Sequence, residues 1–317
     1  MILALAGGVG GAKLAHGLAM QVPPEELLVV VNTGDDFVHL GMNISPDLDT
    51  VMYWLAGLND AVRGWGLAGE TWNFMASLEK LGGPTWFRLG DRDLATHVER
   101  TQILSHGGLL SDVTAHLCER LHIRHHIVPM TDGNVRTIVH TAEGALEFQD
   151  YFVRRQCEPQ VLHVEFQGAQ HASPSPAFSA ALTRDELAAI IICPSNPLLS
   201  IEPILAIRGI RPRVAKHRAP VIAVSPIVGG HTIKGPAAKI FRELGLEPSA
   251  LGIAQYYTPL VDGLVIDEID AGLKRPIEAL GLRVAVTNTI MKTGADQARL
   301  ANEVIDFSAR LLEPLHA

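Results

Sequence analysis

The chain has 317 residues, 47% hydrophobic and 19% charged, with 34 acidic against 26 basic side chains and a formal charge of −8. That balance excludes a nucleic-acid-coating surface, which needs a concentrated cationic footprint, while a local cationic pocket for a phosphorylated small molecule stays open. No run approaches the ~18 apolar residues of a membrane span, and 29 Gly with 19 Pro are too scattered for collagen-like or low-complexity sequence.

In chain order, residues 2–6 form an apolar strand that Met1 enters without a basic segment, so the start is buried sheet and not a signal peptide. Gly7-Gly8-Val9-Gly10-Gly11 follows as a turn, 12–20 is helical by composition, and 27–31 is a second β-rich run. It ends in the polar cluster Asn32-Thr33-Gly34-Asp35-Asp36. Continuous Val/Ile/Leu runs alternating with helices predict a parallel sheet covered on both faces. Helices at 47–57, 70–81, 91–106 and 111–121 come next with no clear strand between them. The β-branched and aromatic stretches 135–141, 146–153 and 161–167 predict a small β-meander. Strands at 189–193, 220–224, 264–267 and 283–287 restore the α/β rhythm, and an amphipathic helix over 295–312 closes it. The expected fold class is therefore α/β: a Rossmann-like, mostly parallel sheet with helices on both faces, plus a helical insertion and a small β-meander insertion. The expected division is a nucleotide-binding core of 1–46 and 184–317, a helical insertion over 47–126 and a β-rich insertion over 127–183. Cys118, Cys157 and Cys193 are odd in number and lack C-x-x-C spacing, which argues against zinc or a disulfide framework and for a cytoplasmic setting.

The carboxyl ends of strands in such a sheet face the ligand crevice, so the strand exits come first. At the first exit, glycines let backbone N–H groups approach an anion, the helix start adds roughly half a positive charge, and Lys13 stands in the first turn. Gly8, Gly10, Gly11 and Lys13 are thus phosphate-binding candidates, although glycine equally serves a tight turn. The segment departs from a P-loop at Ala12 and Leu14, and from G-x-G-x-x-G at Lys13. At the second exit Asn32, Thr33, Asp35 and Asp36 emerge beside that anion site, with turn initiation as the bland alternative.

In Ser45-Pro46-Asp47-Leu48-Asp49-Thr50, Ser45 as N-cap and Pro46 at the first helical position are helix-start chemistry. The two carboxylates also suit a magnesium ion or a substrate hydroxyl. Positions i and i+2 point to different sides of a helix, so Asp47 and Asp49 share a ligand only ahead of its first turn. Arg88, between Phe87 and Leu89, is costly to bury unless paired with a carboxylate or phosphate. Cys193-Pro194-Ser195-Asn196-Pro197 offers a third crevice edge, with Ser195 and an Asn196 amide suited to a nucleobase edge. The Gly-rich stretch 225–236 repeats the anion-site logic with Lys234. Asp35, Asp36, Asp47 and Asp49 are the candidate metal ligands. No G-x-S-x-G elbow supports serine hydrolysis.

Together, Ala6-Gly7-Gly8-Val9-Gly10-Gly11-Ala12-Lys13, Asn32-Thr33-Gly34-Asp35-Asp36, Ser45-Pro46-Asp47-Leu48-Asp49-Thr50, Trp86-Phe87-Arg88-Leu89-Gly90-Asp91-Arg92-Asp93, Cys193-Pro194-Ser195-Asn196-Pro197 and Ser225-Pro226-Ile227-Val228-Gly229-Gly230 resemble, in order, the 2-phospho-L-lactate transferase family of deazaflavin coenzyme F-420 biosynthesis. The resemblance implies transfer of a phospho-carboxylic acid (2-phospho-L-lactate, phosphoenolpyruvate or a relative) from a guanosine diphosphate ester. The acceptor is the ribityl hydroxyl of Fo, 7,8-didemethyl-8-hydroxy-5-deazariboflavin, and GMP leaves. By the family pattern Asp49 and Arg88 fall at positions that contact Fo. Asp49 with Asp47 is the expected catalytic pair, and loop chemistry puts the guanosine phosphates along 7–13 and at Asn196 and Lys234. Screening a diphosphate before an oxygen nucleophile approaches calls for Mg2+. Trp54, Trp65, Trp72 and Trp86 all lie in the 47–126 insertion, where an apolar slot for a flat acceptor is expected. The partners are these small molecules, without nucleic acid or membrane, and a homodimer is compatible with the sequence. A nucleotide-sugar-binding regulator of the gluconeogenesis-factor type shares the Gly-rich opening and α/β core; the Trp86 to Asp93 segment favours the transferase. The missing dinucleotide fingerprint disfavours an NAD-linked dehydrogenase.

Overall fold

The computed structural model describes residues 1–233 and 235–312, so Lys234 lies outside the described residues. Strand β1 (Ile2–Ala6) and strand β2 (Leu27–Val31) are buried at every position, with helix α1 (Gly8–Ala19) crossing between them. A hairpin of β3 (Phe37–His39) and β4 (Met42–Ile44) leads into α2 (Pro46–Leu55), α3 (Asn73–Lys80), α4 (Asp93–Ser105) and α5 (Leu110–Arg120). Then come β5 (His126–Pro129), β6 (Arg136–Thr141), β7 (Gly144–Glu147) and β8 (Val161–Gln167). The second half runs α6 (Pro176–Ala181), β9 (Ala189–Ile192), α7 (Glu202–Ala206), α8 (Ile210–Ala215), β10 (Val221–Val224) and a hairpin of β11 (Ile227–Val228) and β12 (His231–Thr232). It ends with α9 (Ala237–Glu243), α10 (Ala250–Tyr257), β13 (Gly263–Asp267), α11 (Lys274–Glu278), β14 (Arg283–Thr287) and α12 (Gly294–Leu312).

Among the described residues the main sheet has seven strands in the order β14-β13-β10-β9-β1-β2-β5, every neighbouring pair parallel. The chain builds outward from β1 through β2 to β5, then returns to β9 on the other side of β1 and continues outward. The β1/β9 boundary is therefore the switch point, where open α/β sheets carry their ligand crevice. Because side chains alternate across a strand, Leu3 and Leu5 face one layer while Ile2, Ala4 and Ala6 face the other. The second layer is α1, α2, α5 and α12, drawn close by Gly17, where an added Cβ would stand 2.3 Å from the Gln297 carbonyl oxygen. The first layer includes Val139, Tyr151, Val161 and Phe178, so the small sheet packs directly on the main one.

This corrects the expected division of the chain. A boundary between 126 and 127 cuts through β5, which is a main-sheet strand, and α2 packs against α1 as part of the core. The β-rich piece is not a meander: its order is β7-β6-β8, with the third strand returning to the far side of the first. Its expected second strand stops at Glu147, and Asp150–Arg154 is a wide helical turn. The glycine-rich opening is also more helical than a turn, since α1 starts at Gly8. No described helix is long and apolar enough to cross a membrane.

Candidate active site at the carboxyl edge of the sheet

The exits of β1, β2 and β9 meet the start of α2 through a set of short contacts. Gly7 N–H donates to Ser195 Oγ at 3.1 Å, and Gly8 N–H donates to Asp47 Oδ1 at 2.7 Å. Asn32 Nδ2 lies 3.1 Å from Asp35 Oδ1, 3.0 Å from Asp47 Oδ2 and 3.4 Å from the Leu199 carbonyl oxygen. Sequence places Asp47 in the first turn of α2, where Pro46 presets the helical φ and needs no N–H partner. Ser45 does precede the helix, yet its hydroxyl donates to Asp36 Oδ2 at 2.6 Å instead of capping a helix N–H.

Glycine spacing in the opening loop answers to packing. A Cβ on Gly10 would lie 2.2 Å from the Pro194 carbonyl oxygen, and one on Gly11 would lie 2.4 Å from Ser195 Oγ. The β9 exit thus sits directly on the β1 exit. One N–H expected to meet a phosphate, that of Gly8, is taken by the Asp47 carboxylate; those of Val9 and Gly10 fall in the first helical turn, which has no intrahelical acceptors. Lys13 donates to the Met291 carbonyl at 2.7 Å, with its ammonium 5.6 Å from the Trp54 ring centre. Asn196 Oδ1 accepts from Leu198 and Leu199 N–H, so this oxygen, expected to face a nucleobase edge, caps the following turn instead.

Three carboxylates are crowded into this buried edge. Burial pushes Asp36 up to about 7, against a hydrogen bond from Ser45 and the charges of Arg100 and Arg136. Burial likewise raises Asp47 to about 6 despite the bonds from Asn32 and Gly8. Asp35 stands well above the carboxylate range through burial and repulsion from Asp47 and Asp36. Asp36 Oδ1 is buried with no hydrogen-bond partner. An orphaned carboxylate oxygen among mutually repelling acids is the donor set that a hard divalent cation satisfies. Asp36 Oδ1 is thus open to a cation, although Asp35, Asp36 and Asp47 do not bring one oxygen each within ligand distance of a shared ion.

Asp49 does not join them. As the i, i+2 geometry predicts, it points to a different side of α2 from Asp47, where both its oxygens meet the guanidinium of Arg100, which is 1% exposed. His97 Nδ1 lies 3.6 Å from Asp49 and His97 Nε2 3.4 Å from Asp93, whose other oxygen accepts from Tyr53 Oη at 2.5 Å. Burial raises the Asp49 pKa, with Arg100 and His97 opposing it. Asp49, Asp93 and His97 have the spacing of a metal set, but the Arg100 charge already balances Asp49 there, and a cation would stand against it. Asp49 is thus removed from the metal ligands. Arg100 and His97 escaped the sequence reading, although their i, i+3 spacing on α4, with Asp93 one turn earlier, was visible; nothing local revealed which carboxylate they would meet.

Arg88, whose burial between Phe87 and Leu89 would call for an anionic partner, avoids that cost. It is exposed instead, with its guanidinium 4.3 Å from the Trp72 ring centre, so an aromatic face takes the place of an anion. Asp49 and Arg88 are therefore not directed at one another. Trp54 belongs to the main core, while Trp86 and Phe87 gather around Phe37 and His39, with Phe37 4.8 Å from Phe87 and His39 5.0 Å from Trp86. These rings form a packed cluster on the β3–β4 hairpin and the 86–88 segment, with Trp72 at its side against Trp65.

The profile described as 2-phospho-L-lactate transferase CofD matches residues 2–297. A phosphoenolpyruvate transferase from Kitasatospora aureofaciens is 41% identical over 310 residues, covering 95% of this chain and 96% of that one. A 2-phospho-L-lactate transferase from Methanosarcina mazei is 39% identical, covering 96% and 99%. A solved UPF0052-family protein from Bacillus halodurans shares the fold, with a TM-score of 0.61 at 13% identity over 96% of this chain and 97% of that one. With the match running through β1 to α12 and taking in every strand exit described above, the chain belongs to the 2-phospho-L-lactate transferase family.

Proposed function

We propose that the protein transfers a phospho-carboxylic acid from a guanosine diphosphate ester to the ribityl hydroxyl of Fo, releasing GMP, as a step of coenzyme F-420 biosynthesis. The observation that carries this reading is family membership along the whole chain with relatives named for 2-phospho-L-lactate and phosphoenolpyruvate transfer. In the reaction the hydroxyl oxygen forms a bond to the acid-bearing phosphorus, the bond from that phosphorus to the GMP oxygen breaks, and the hydroxyl proton is taken up by a carboxylate.

Asp36, through its unpartnered oxygen and with Asp35 and Asp47 beside it, would receive Mg2+, which when bound screens the diphosphate and stabilises charge on the leaving phosphate. The N–H groups of the first turn of α1 and the 194–196 loop lie along the edge where the guanylyl phosphates would run. Asp49, fixed by Arg100, is the group that orients the acceptor hydroxyl, and the ring system of Fo lies against the Trp72, Trp86, Phe87 and Arg88 surface. The setting is cytoplasmic, and a homodimer is compatible with the exposed helical faces.

The test incubates the protein with Fo, Mg2+ and each of the lactate, enolpyruvate and glycerate donor esters, with mass detection. The expected result is a product heavier than Fo by one phospho-acid, with GMP in equal amount. Thermal stabilisation by donor without product from any of the three would reject the enzyme in favour of a binding protein.

A further inference from the structure

Beside the acidic edge lies a cleft of about 180 Å³ whose wall includes Thr33, Asp36, Arg136, Leu104 and Leu110. Two of its buried polar atoms, Thr33 Oγ1 and Asp36 Oδ1, have no hydrogen-bond partner, and their residues are 3% and 8% exposed. Buried groups of this kind are normally satisfied, so an unmet hydroxyl and an unmet carboxylate oxygen in one cleft mark a place for a ligand.

Arg136 stands at the start of β6 and bonds only to its neighbour's carbonyl, Val135, at 3.0 Å; among the described residues no carboxylate pairs with it. Its charge is nevertheless felt by both Asp35 and Asp36. The other acid of the wall, Asp132, is already satisfied by Ser111 through its N–H at 2.7 Å and its hydroxyl at 3.1 Å. The cleft therefore offers an unpaired guanidinium and a hydroxyl to an anion, a carboxylate oxygen to a cation, and a leucine wall to a small apolar branch.

Its volume is below the roughly 300–1,000 Å³ of sites that enclose a drug-sized ligand, so neither a tricyclic ring nor a guanosine fits inside. Resting on the transferase reading, we propose that this cleft seats the acid end of the donor, with Arg136 and Thr33 holding its carboxylate and the leucines facing its methyl or methylidene carbon. Phe37, which also lines the cleft, packs against Trp86 and Phe87, which puts the acceptor surface next to the bond to be made.

The test compares wild type with Arg136→Gln, Arg136→Lys and Thr33→Val. Steady-state kinetics are combined with calorimetry using GMP and phosphoenolpyruvate as separate probes. Loss of a charge-assisted contact predicts a rise in donor KM of about 10- to 100-fold for Arg136→Gln, with partial recovery in Arg136→Lys and a smaller rise in Thr33→Val. Phosphoenolpyruvate affinity falls in parallel, while GMP affinity and KM for Fo stay within about twofold. A matching loss of GMP affinity would assign Arg136 to the nucleotide, and a rise confined to Fo would assign it to the acceptor; either overturns the proposal. A wild type that binds phosphoenolpyruvate through Arg136 yet forms no product rejects the transferase reading and leaves the subsite standing.

Discussion

Asp49 and Arg100 form a charge pair in which both side chains are nearly inaccessible to water. Removing one partner of a buried pair leaves an uncompensated charge and costs about 3–5 kcal/mol, whereas removing both is far milder. Arg100→Met is therefore expected to lower stability by about that amount, and Arg100→Met with Asp49→Asn to recover most of it. Denaturant titration of both singles and the double checks this; strictly additive losses would show that the two side chains do not depend on each other. In the kinetic assay Asp49→Asn is expected to lose 10²–10⁴-fold or so in turnover, the range of a positioned acid–base group, and unchanged turnover removes Asp49 from the mechanism. Asp49 stood out in the sequence from its place after a Pro-led helix start. Its partner was not: Arg100 is 51 residues away, on a helix whose orientation depends on everything between them.

The strand-exit loops act as packed elements, and glycine in them is there for contact as much as for ligand. Gly10 has an ordinary helical position in α1, where alanine would ordinarily gain about 1 kcal/mol. A Cβ there would stand 2.2 Å from the Pro194 carbonyl oxygen, an overlap that only a shift of the 194–196 loop relieves. Overpacking of this kind costs about 1–3 kcal/mol, so the clash outweighs the propensity gain. Gly10→Ala is expected to melt earlier and to raise donor KM, because the displaced loop carries Ser195 away from the Gly7 N–H. A variant as stable as wild type, with unaltered donor KM, would show that the two loops are not coupled. Six strands of the main sheet were readable as apolar runs, but β5 was missed because His126-Ile127-Val128-Pro129 is short, starts on a histidine that follows two others, and ends in proline. Its pairing with β2 supplies what its composition lacks.

At the scale of the whole molecule, the acidic edge links stability to pH and to metal. Asp36 and Asp47 titrate at about 7 and about 6 in the fold, against 3.8 when unperturbed. Between those values the folded chain binds more protons than the unfolded one, so stability is fully present below pH ~4 and is lost as pH rises through ~6–7. In chelator, the melting temperature is expected to fall between pH 5 and 7.5, less steeply in Asp36→Asn. Magnesium binds the ionised form, so its stabilisation should be larger at pH 7.5 than at pH 5. Calorimetry across that range is the check, and a pH-independent magnesium effect would take the ion away from these carboxylates. Apolar periodicity by itself determined the α/β class and the run of strand exits that carry polar residues, and contiguous motifs carried the resemblance to the family, because each is written in local stretches of sequence. Only the tertiary structure decided which charges neutralise one another: that Asp47 sits on the Gly8 N–H, that Asp49 belongs to Arg100, that Arg88 rests on Trp72 in the open, and that Arg136 is left facing a cleft. Ion pairing and desolvation depend on distances between residues tens to hundreds of positions apart, and those distances exist only once the layers have packed.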